Sequence, residues 1–374
     1  MIRSLTLENY RGFPRFELHD LGRVNLIVGT NNAGKTSVLE AVHILVDTGE
    51  LGPIWNTLVR RGEDFEENES GRSVRLVDIR HLFHGHELAI GNNLKISTES
   101  DRGRDQFTAV ITERLVSPQA AQPDLFEPGI ESGLSRAALG LHWQHEQTGV
   151  DENDVMNLTR QGGLSLNAMR RGRLVVEPEL PIRFITATSL SPDLVIDLFE
   201  EVVLTPFEDF VIEALKIIEP TIERIATSGT ERRRTTSNRT SIRGGLLVRC
   251  KGITDRIPIG SMGDGIWRIL GLALSLARSA GGILLVDEID TGLHYSVMED
   301  MWKLVTRTAK KHNIQVFATT HSRDCYESLA AVCSDSVSEG SEITIQRLER
   351  GKTRSTAYTE QEIVAAAQRG MEVR

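Results

Sequence analysis

The hydrophobic and polar positions of this chain change period several times. Near the start, Ser4-Leu5-Thr6-Leu7-Glu8 alternates at period two, as a strand with one buried face does. Val24-Asn25-Leu26-Ile27-Val28 is a short, mostly apolar run suited to a buried strand. Between them Arg11-Gly12-Phe13-Pro14 reads as a turn, and a helix is expected from about Lys35 to Leu45. Residues 48–75 are polar and acidic (Glu63, Asp64, Glu66, Glu67, Glu69) and read as an exposed connection. Further strands are expected over 76–115, among them Leu94–Ser97 and Phe107–Ile111. Residues 116–190, Gly-rich and weakly patterned, read as short strands and turns.

Periodicity strengthens after residue 190. Thr205-Pro206-Phe207-Glu208 has the form of a capping box with proline at the first helical position. Phe207, Phe210, Val211, Ala214, Leu215 and Ile218 then fall on one helical face, and Pro220 should end or kink the helix. A loop rich in Arg, Ser and Thr follows from Ser228 to Arg243. After it come an expected strand (245–250), helix (265–279), strand (283–286), helix (295–310) and strand (314–318). Such alternation argues for an α/β fold, a parallel sheet with helices on its faces. There is no internal repeat and no sustained heptad.

Two segments carry chemistry on this frame. Gly29-Thr30-Asn31-Asn32-Ala33-Gly34-Lys35-Thr36 fits G-x-x-x-x-G-K-[ST] and lies between a predicted strand and a predicted helix, the context a phosphate-binding loop needs. Its glycines let backbone N–H groups curl round an anion, and the helix N-terminus adds partial positive charge. Lys35 would reach the β- and γ-phosphates of ATP, the Thr36 hydroxyl would ligate Mg²⁺, and Ser37 joins the candidate set. The second segment, Ile283-Leu284-Leu285-Val286-Asp287-Glu288, is an apolar strand ending in two carboxylates. In a doubly wound sheet ligands gather at the carboxyl ends of strands, so Asp287 is the candidate for Mg²⁺ and Glu288 for the general base.

Four further segments resemble, in their order, the ABC-type P-loop ATPases related to SMC, RecF and OLD proteins. Leu5–Phe13 is similar to the strand-turn that opens those proteins. Gly260-Ser261-Met262-Gly263-Asp264-Gly265 stands where their signature stands, Asp290-Thr291-Gly292-Leu293-His294 resembles the D-loop, and Thr319-Thr320-His321-Ser322 resembles the switch-histidine loop. The resemblance implies an ATPase head with a mixed sheet, an antiparallel β lobe and a smaller helical lobe. It implies a head-to-head homodimer in which Ser261 and the Gly263 N–H act in trans on the γ-phosphate and Asp290 couples the sites. It also implies that His321 senses the γ-phosphate and that Arg11 approaches the phosphates. The signature reads S-M-G-D-G rather than L-S-G-G-Q, and no Q-loop glutamine is assigned. Within one ATPase domain over 1–374, the expected parts are the P-loop and β lobe (1–115), an unassigned insertion (116–190), the helical lobe and basic loop (191–255), and the signature-to-histidine segment (256–374).

The resemblance points to DNA repair or anti-phage defence; a nucleotide-gated scaffold controlling an effector protein, such as a nuclease, is the alternative. The formal net charge of −9 excludes a uniformly basic DNA-binding surface. Local clusters remain, Arg232, Arg233, Arg234, Arg239 and Arg243, and Arg170, Arg171 and Arg173, each either a DNA-phosphate contact or a solvated loop. His81, His84 and His86 beside Glu87 match no standard zinc spacing and read as surface histidines. Trp55, Trp143, Trp267 and Trp302 are expected in the core. Cys250, Cys325 and Cys333 show no metal or redox spacing, and the opening MIRSLTLENY is unlike a secretory leader. The longest apolar stretch, Ile266 to Ala277, is broken by Arg268 and Ser275 and is too short to span a bilayer. A cytoplasmic, membrane-free protein is expected.

Overall fold

The computed structural model describes residues 1–47, 51–69, 72–115, 135–146, 149–159, 161–165, 180–186, 190–227, 245–335 and 342–370. Both arginine clusters of the sequence, 170–173 and 232–243, lie outside the described residues. The chain forms two units, each from discontinuous segments: residues 1–20, 32–179 and 349–355 in the first, 21–31, 180–348 and 356–374 in the second.

In the first unit, β1 (Ile2–Tyr10) and β2 (Phe13–Leu18) form a hairpin round Arg11, whose φ is +51°. They join β6 (Asn93–Ser100), β7 (Gly103–Leu115), β8 (Ser135–His145) and β9 (Val150–Asn157) in an antiparallel sheet of order β2-β1-β6-β7-β8-β9. Helix α1 (Lys35–Val46) packs on it: the indole N–H of Trp143 donates to the Ile44 carbonyl at 3.3 Å, and the Trp143 ring lies 4.8 Å from that of Phe107. A smaller antiparallel sheet, β10-β5-β4, holds Gly163–Ser165, Arg72–Asp78 and Asp64–Glu69.

The described part of residues 48–75 is not the expected exposed connection. Pro53 opens a short helix, α2 (Gly52–Arg60), which buries Ile54, Thr57 and Leu58, and the acidic stretch is strand β4. Its carboxylates disguise the alternation, yet they suit a strand facing basic residues on β5: Glu66 pairs in register with Arg75, whose guanidinium also binds Asp64. Likewise 116–190 contains a long hairpin, β8–β9, where the pattern predicts short strands. Asp151, Glu152, Asn153 and Asp154 have poor strand propensity, and pairing with β8 overrides it.

The second unit holds β3 (Val24–Gly29), β11 (Ile182–Ile185), β15 (Ile283–Val286), β16 (Gln315–Thr319), β17 (Ile343–Leu348) and β18 (Thr356–Thr359), in the order β11-β15-β16-β3-β17-β18. All neighbours pair in parallel except the edge strand β18, so the sheet is mixed and the fold is α/β, as the pattern implies. Helices α3 (Pro192–Val202) and α4 (Phe207–Leu215) precede an antiparallel sheet of β12 (Ile222–Thr227), β13 (Leu246–Cys250) and β14 (Ile257–Pro258). Helix α4 is capped one residue away from the expected box: Glu208 Oε2 accepts from the Leu204 N–H at 2.8 Å, while Thr205 Oγ1 accepts from Phe207 N–H.

Helix α5 (Asp264–Ala277) runs through the middle of the core, with residues 266–277 all buried; α6 (Tyr295–Lys311), α7 (Arg323–Asp335) and α8 (Glu360–Gln368) complete the unit. Trp143, Trp267 and Trp302 are buried as expected, whereas Trp55 is half-buried. Cys250, Cys325 and Cys333 are free thiols in the core. Among the described residues no helix is long and apolar enough to cross a membrane.

Candidate functional site

The phosphate-loop motif leaves β3 at Gly29, whose φ is +148°, and enters α1 at Lys35. Asn32 and Gly34 have φ of +61° and +94°, so the chain winds back on itself through conformations that favour glycine or asparagine. Gly34 has a second constraint. A Cβ there would sit 2.2 Å from the Phe13 ring, so the Arg-Gly-Phe turn and the loop fit together with no room between them. The loop is also touched from the turn 349–355, where Arg350 Nε donates to the Asn32 carbonyl at 3.3 Å. That turn is fixed to β2 by backbone bonds from Glu17 N–H to Thr353 and from Ser355 N–H to Glu17.

Arg11 does not stand free toward a ligand. Its buried guanidinium spans Glu63 with two hydrogen bonds of 2.9 and 3.1 Å and lies 3.2 Å from Glu40 on α1. Burial opposes the charge, and the neighbours Tyr10, Glu40 and Glu63 together outweigh it, holding the Arg11 pKa above its ordinary value. Arg61 completes the network, donating to both Glu40 oxygens and, at 3.2 Å, to the Ser37 hydroxyl. Glu40 is 1% exposed, and two arginines compensate its burial. Arg11 and Ser37 are thus brought together through Glu40 and Arg61, at the first turns of α1.

In the second unit the parallel register sets the other motif. Val286 lies level with Ala318, and Ala318 level with Leu26, so Asp287, Thr319 and Ile27 stand in one row near the carboxyl edge where β3 ends at Gly29. Thr319 joins the two acidic residues: its hydroxyl donates to Asp287 Oδ1 at 2.6 Å and accepts the Glu288 N–H at 2.8 Å. The next threonine repeats the device, Thr320 Oγ1 donating to Asp290 Oδ1 at 2.7 Å. His321 follows, its Nδ1 3.8 Å from Glu288 Oε1, and Thr291 Oγ1 donates to Glu288 Oε2 at 3.2 Å. The switch-histidine and D-loop segments therefore meet on the acidic pair.

Glu288 itself has φ +50°, a left-handed conformation rare outside glycine and asparagine. Its backbone is held by a residue that sequence reasoning misses. Arg268, in the sequence only a break in an apolar run, turns its guanidinium onto the carbonyls of Thr186 (3.2 Å), Asp287 (3.0 Å) and Glu288 (2.7 Å). Burial lowers its pKa, opposed by the charges of Asp290, Asp287 and Glu288. An arginine inside an otherwise apolar helix just ahead of the acidic strand is the sequence signal that could have found it.

The signature segment forms a short 3₁₀ turn, Ile259–Met262, followed by Gly263 at φ +96°, ψ 171° as the N-cap of α5. Ser261 and Gly263 are exposed there, before a helix N-terminus with Asp264 in its first turn. A Cβ on Gly265 would come within 3.4 Å of the Gly292 carbonyl, so signature and D-loop lie against each other within the chain. His81, His84 and His86 fall in two 3₁₀ turns; His84 Nδ1 faces the Arg11 carbonyl at 2.9 Å, and the Nδ1 atoms of His81 and His86 are 3.3 Å apart.

Two family models match the chain. One, described as AAA ATPase domain, covers residues 1–127; the other, described as AAA domain, putative AbiEii toxin, Type IV TA system, covers residues 212–324. An ATP/GTP phosphatase of Helicobacter pylori is 23% identical over 356 residues, 89% of this chain and 88% of that protein. The DNA replication and repair protein RecF of Xanthomonas oryzae pv. oryzae is 33% identical over 90 residues, 21% of this chain and 25% of its own. Among solved structures, the SMC head domain from Thermotoga maritima aligns at 13% identity and a TM-score of 0.44, covering 96% of this chain and 98% of that one. The Smc head domain from Pyrococcus furiosus aligns at 12% identity and a TM-score of 0.47, covering 98% of each chain. The loop of phosphate-binding form falls in the first matched stretch and the acidic strand end held by Thr319 in the second, so the chain is an ATPase similar to AAA domains over both stretches.

Proposed function

We propose that the chain binds ATP with Mg²⁺ and hydrolyses it in a site completed by a second copy of itself, and that this cycle serves DNA-associated repair or defence against phage. The observation that carries the reading is the Thr319 bridge between Asp287 and the Glu288 backbone, at the sheet edge from which Gly29 also leaves. The oxygen donors Thr36 and Asp287 suit a hard divalent cation, and the left-handed backbone at Gly34, closed off by Phe13, suits a loop whose amides turn inward. Mg²⁺ bound with the nucleotide would neutralise charge on the phosphates.

The chain's own groups take these roles. The amides of Gly29, Thr30, Asn31, Asn32, Ala33 and Gly34 wrap the phosphates, and Lys35 neutralises the terminal pair. Glu288 takes a proton from the attacking water, and His321, beside it, reports the γ-phosphate. Ser261 and the Gly263 N–H of the second copy cover that phosphate, and Asp290 links the two sites. Arg11 and Ser37 support the loop through Glu40 and Arg61 rather than reach the nucleotide.

One observation favours a second reading, a nucleotide-gated scaffold that dimerises on ATP, controls an effector such as a nuclease and turns over slowly. The Glu288 carboxylate already accepts from Thr291, and a general base so held is slowed until it is released. The match to a model described as putative AbiEii toxin supports a defence setting for either reading. Steady-state hydrolysis with and without DNA, paired with ultracentrifugation in ATP, separates them. DNA-stimulated turnover favours the first; slow turnover indifferent to DNA, with an ATP-dependent dimer, favours the second. No magnesium-dependent affinity for ATP would overturn both.

A further inference from the structure

The opposite edge of the same sheet holds a cavity of about 290 Å³. Its floor is the start of two neighbouring parallel strands, Val24 of β3 level with Ile343 of β17. β3 runs from this cavity to Gly29, six residues or roughly 20 Å away, so the cavity stands apart from the nucleotide motifs.

Its walls are cationic. Arg23, Lys303, Arg307 and Lys310 face it, against the carboxylates of Glu342 and Glu360. Glu360 is occupied by the chain itself, accepting the N–H groups of Glu342 and Ile343 at 2.9 and 3.0 Å. Glu342 is shared between Lys310 at 3.5 Å and Arg23 at 3.9 Å. Even with Lys303 assigned to Glu299, which it approaches at 2.6 Å, three cations face two carboxylates. Arg307 has no ion-pair partner among the described residues, and the buried Nε of Arg23 makes no hydrogen bond. A buried donor left unmade is costly, and a charged acceptor is the group that relieves it best.

We propose that this cavity binds a small anion of two or more charges, a phosphate- or carboxylate-bearing metabolite, through Arg23, Arg307 and Lys310. Its volume lies at the small end of the range for ligand pockets, roughly 300–1,000 Å³, which suits a compact metabolite rather than a dinucleotide. The Thr306 hydroxyl on the same wall supplies a neutral donor, and Val24, Ile343 and Val332 accommodate a short carbon skeleton. The site does not depend on how the nucleotide is handled.

The test is calorimetric titration of pyrophosphate, and separately citrate, into the full-length Lys35→Ala chain without Mg²⁺, which silences the P-loop. One saturable site for either probe is expected, pyrophosphate identifying a phosphate ligand and citrate a carboxylate one. Arg307→Gln and Arg23→Gln in the same background should each weaken binding about tenfold, the effect of removing one charge-assisted hydrogen bond. In the otherwise unaltered chain Arg307→Gln should leave ATP affinity unchanged. No binding of either probe, or binding indifferent to Arg307→Gln, would overturn the proposal.

Discussion

The guanidinium of Arg268 stands 2.7 Å from the carbonyl oxygen of Glu288, and the same nitrogen reaches the carbonyl of Asp287 at 3.0 Å. A buried charge thus fixes the backbone under both acidic residues, and Glu288 keeps a left-handed conformation that its own side chain does not favour. Arg268→Met should leave three carbonyls without this donor and destabilise the fold by about 2–4 kcal/mol. It should lower kcat with ATP binding largely kept. Denaturant unfolding and steady-state kinetics check both halves, and Arg268→Lys should be intermediate.

Thr319→Val keeps the shape of the side chain and removes the hydroxyl that binds Asp287 Oδ1 and the Glu288 N–H. The stranded N–H costs about 1–3 kcal/mol, and kcat should fall by about ten- to a hundredfold. Thr319→Ser should restore most of the activity.

Gly34→Ala meets two obstacles, the φ of +94° and the Phe13 ring. A strained backbone of about 1–3 kcal/mol at this point should reduce ATP affinity by roughly ten- to a hundredfold. The double variant Phe13→Ala, Gly34→Ala removes the clash but not the strain, so fluorescent-nucleotide titration should show only partial recovery.

These sites differ in how far the sequence announces them. Lys35, Thr36, Asp287 and His321 occur in short motifs at strand ends, whose spacing alone suggests the chemistry proposed for them, and the alternation of β15, α6 and β16 marks the parallel core. Arg268 is hidden because a single polar residue in an apolar run reads as an interruption, and its three acceptors lie 19 to 82 residues away. Strand β4 is hidden because Glu66, Glu67 and Glu69 make a strand resemble a loop until β5 supplies the basic partners. The two units are not legible at all, since each is assembled from three distant segments.

Acid should weaken the protein through His43 on α1. Burial, aided by Arg60, pushes its pKa down to about 4, against about 6.5 in an unfolded chain. Between these values the unfolded state binds the extra proton, so stability is full above pH 6.5 and falls as the pH drops toward 4. The loss from this group is roughly 3 kcal/mol. His43→Leu should remove that component from urea unfolding measured from pH 7 to pH 4.

Arg350 reaches the Asn32 carbonyl from the turn held on β2. Arg350→Ala removes one exposed hydrogen bond of about 0.5–1.5 kcal/mol, so ATP affinity should fall about two- to tenfold with kcat unchanged.

The most direct trial of the whole account is hydrolysis by Glu288→Gln at saturating ATP and Mg²⁺, with binding measured on the same sample. Loss of a general base should slow turnover by about 10²–10⁴-fold while the nucleotide remains bound and the chain accumulates as an ATP-dependent dimer. Turnover at the wild-type rate would contradict the role given to Glu288, and with it the site built on Asp287 and Thr319.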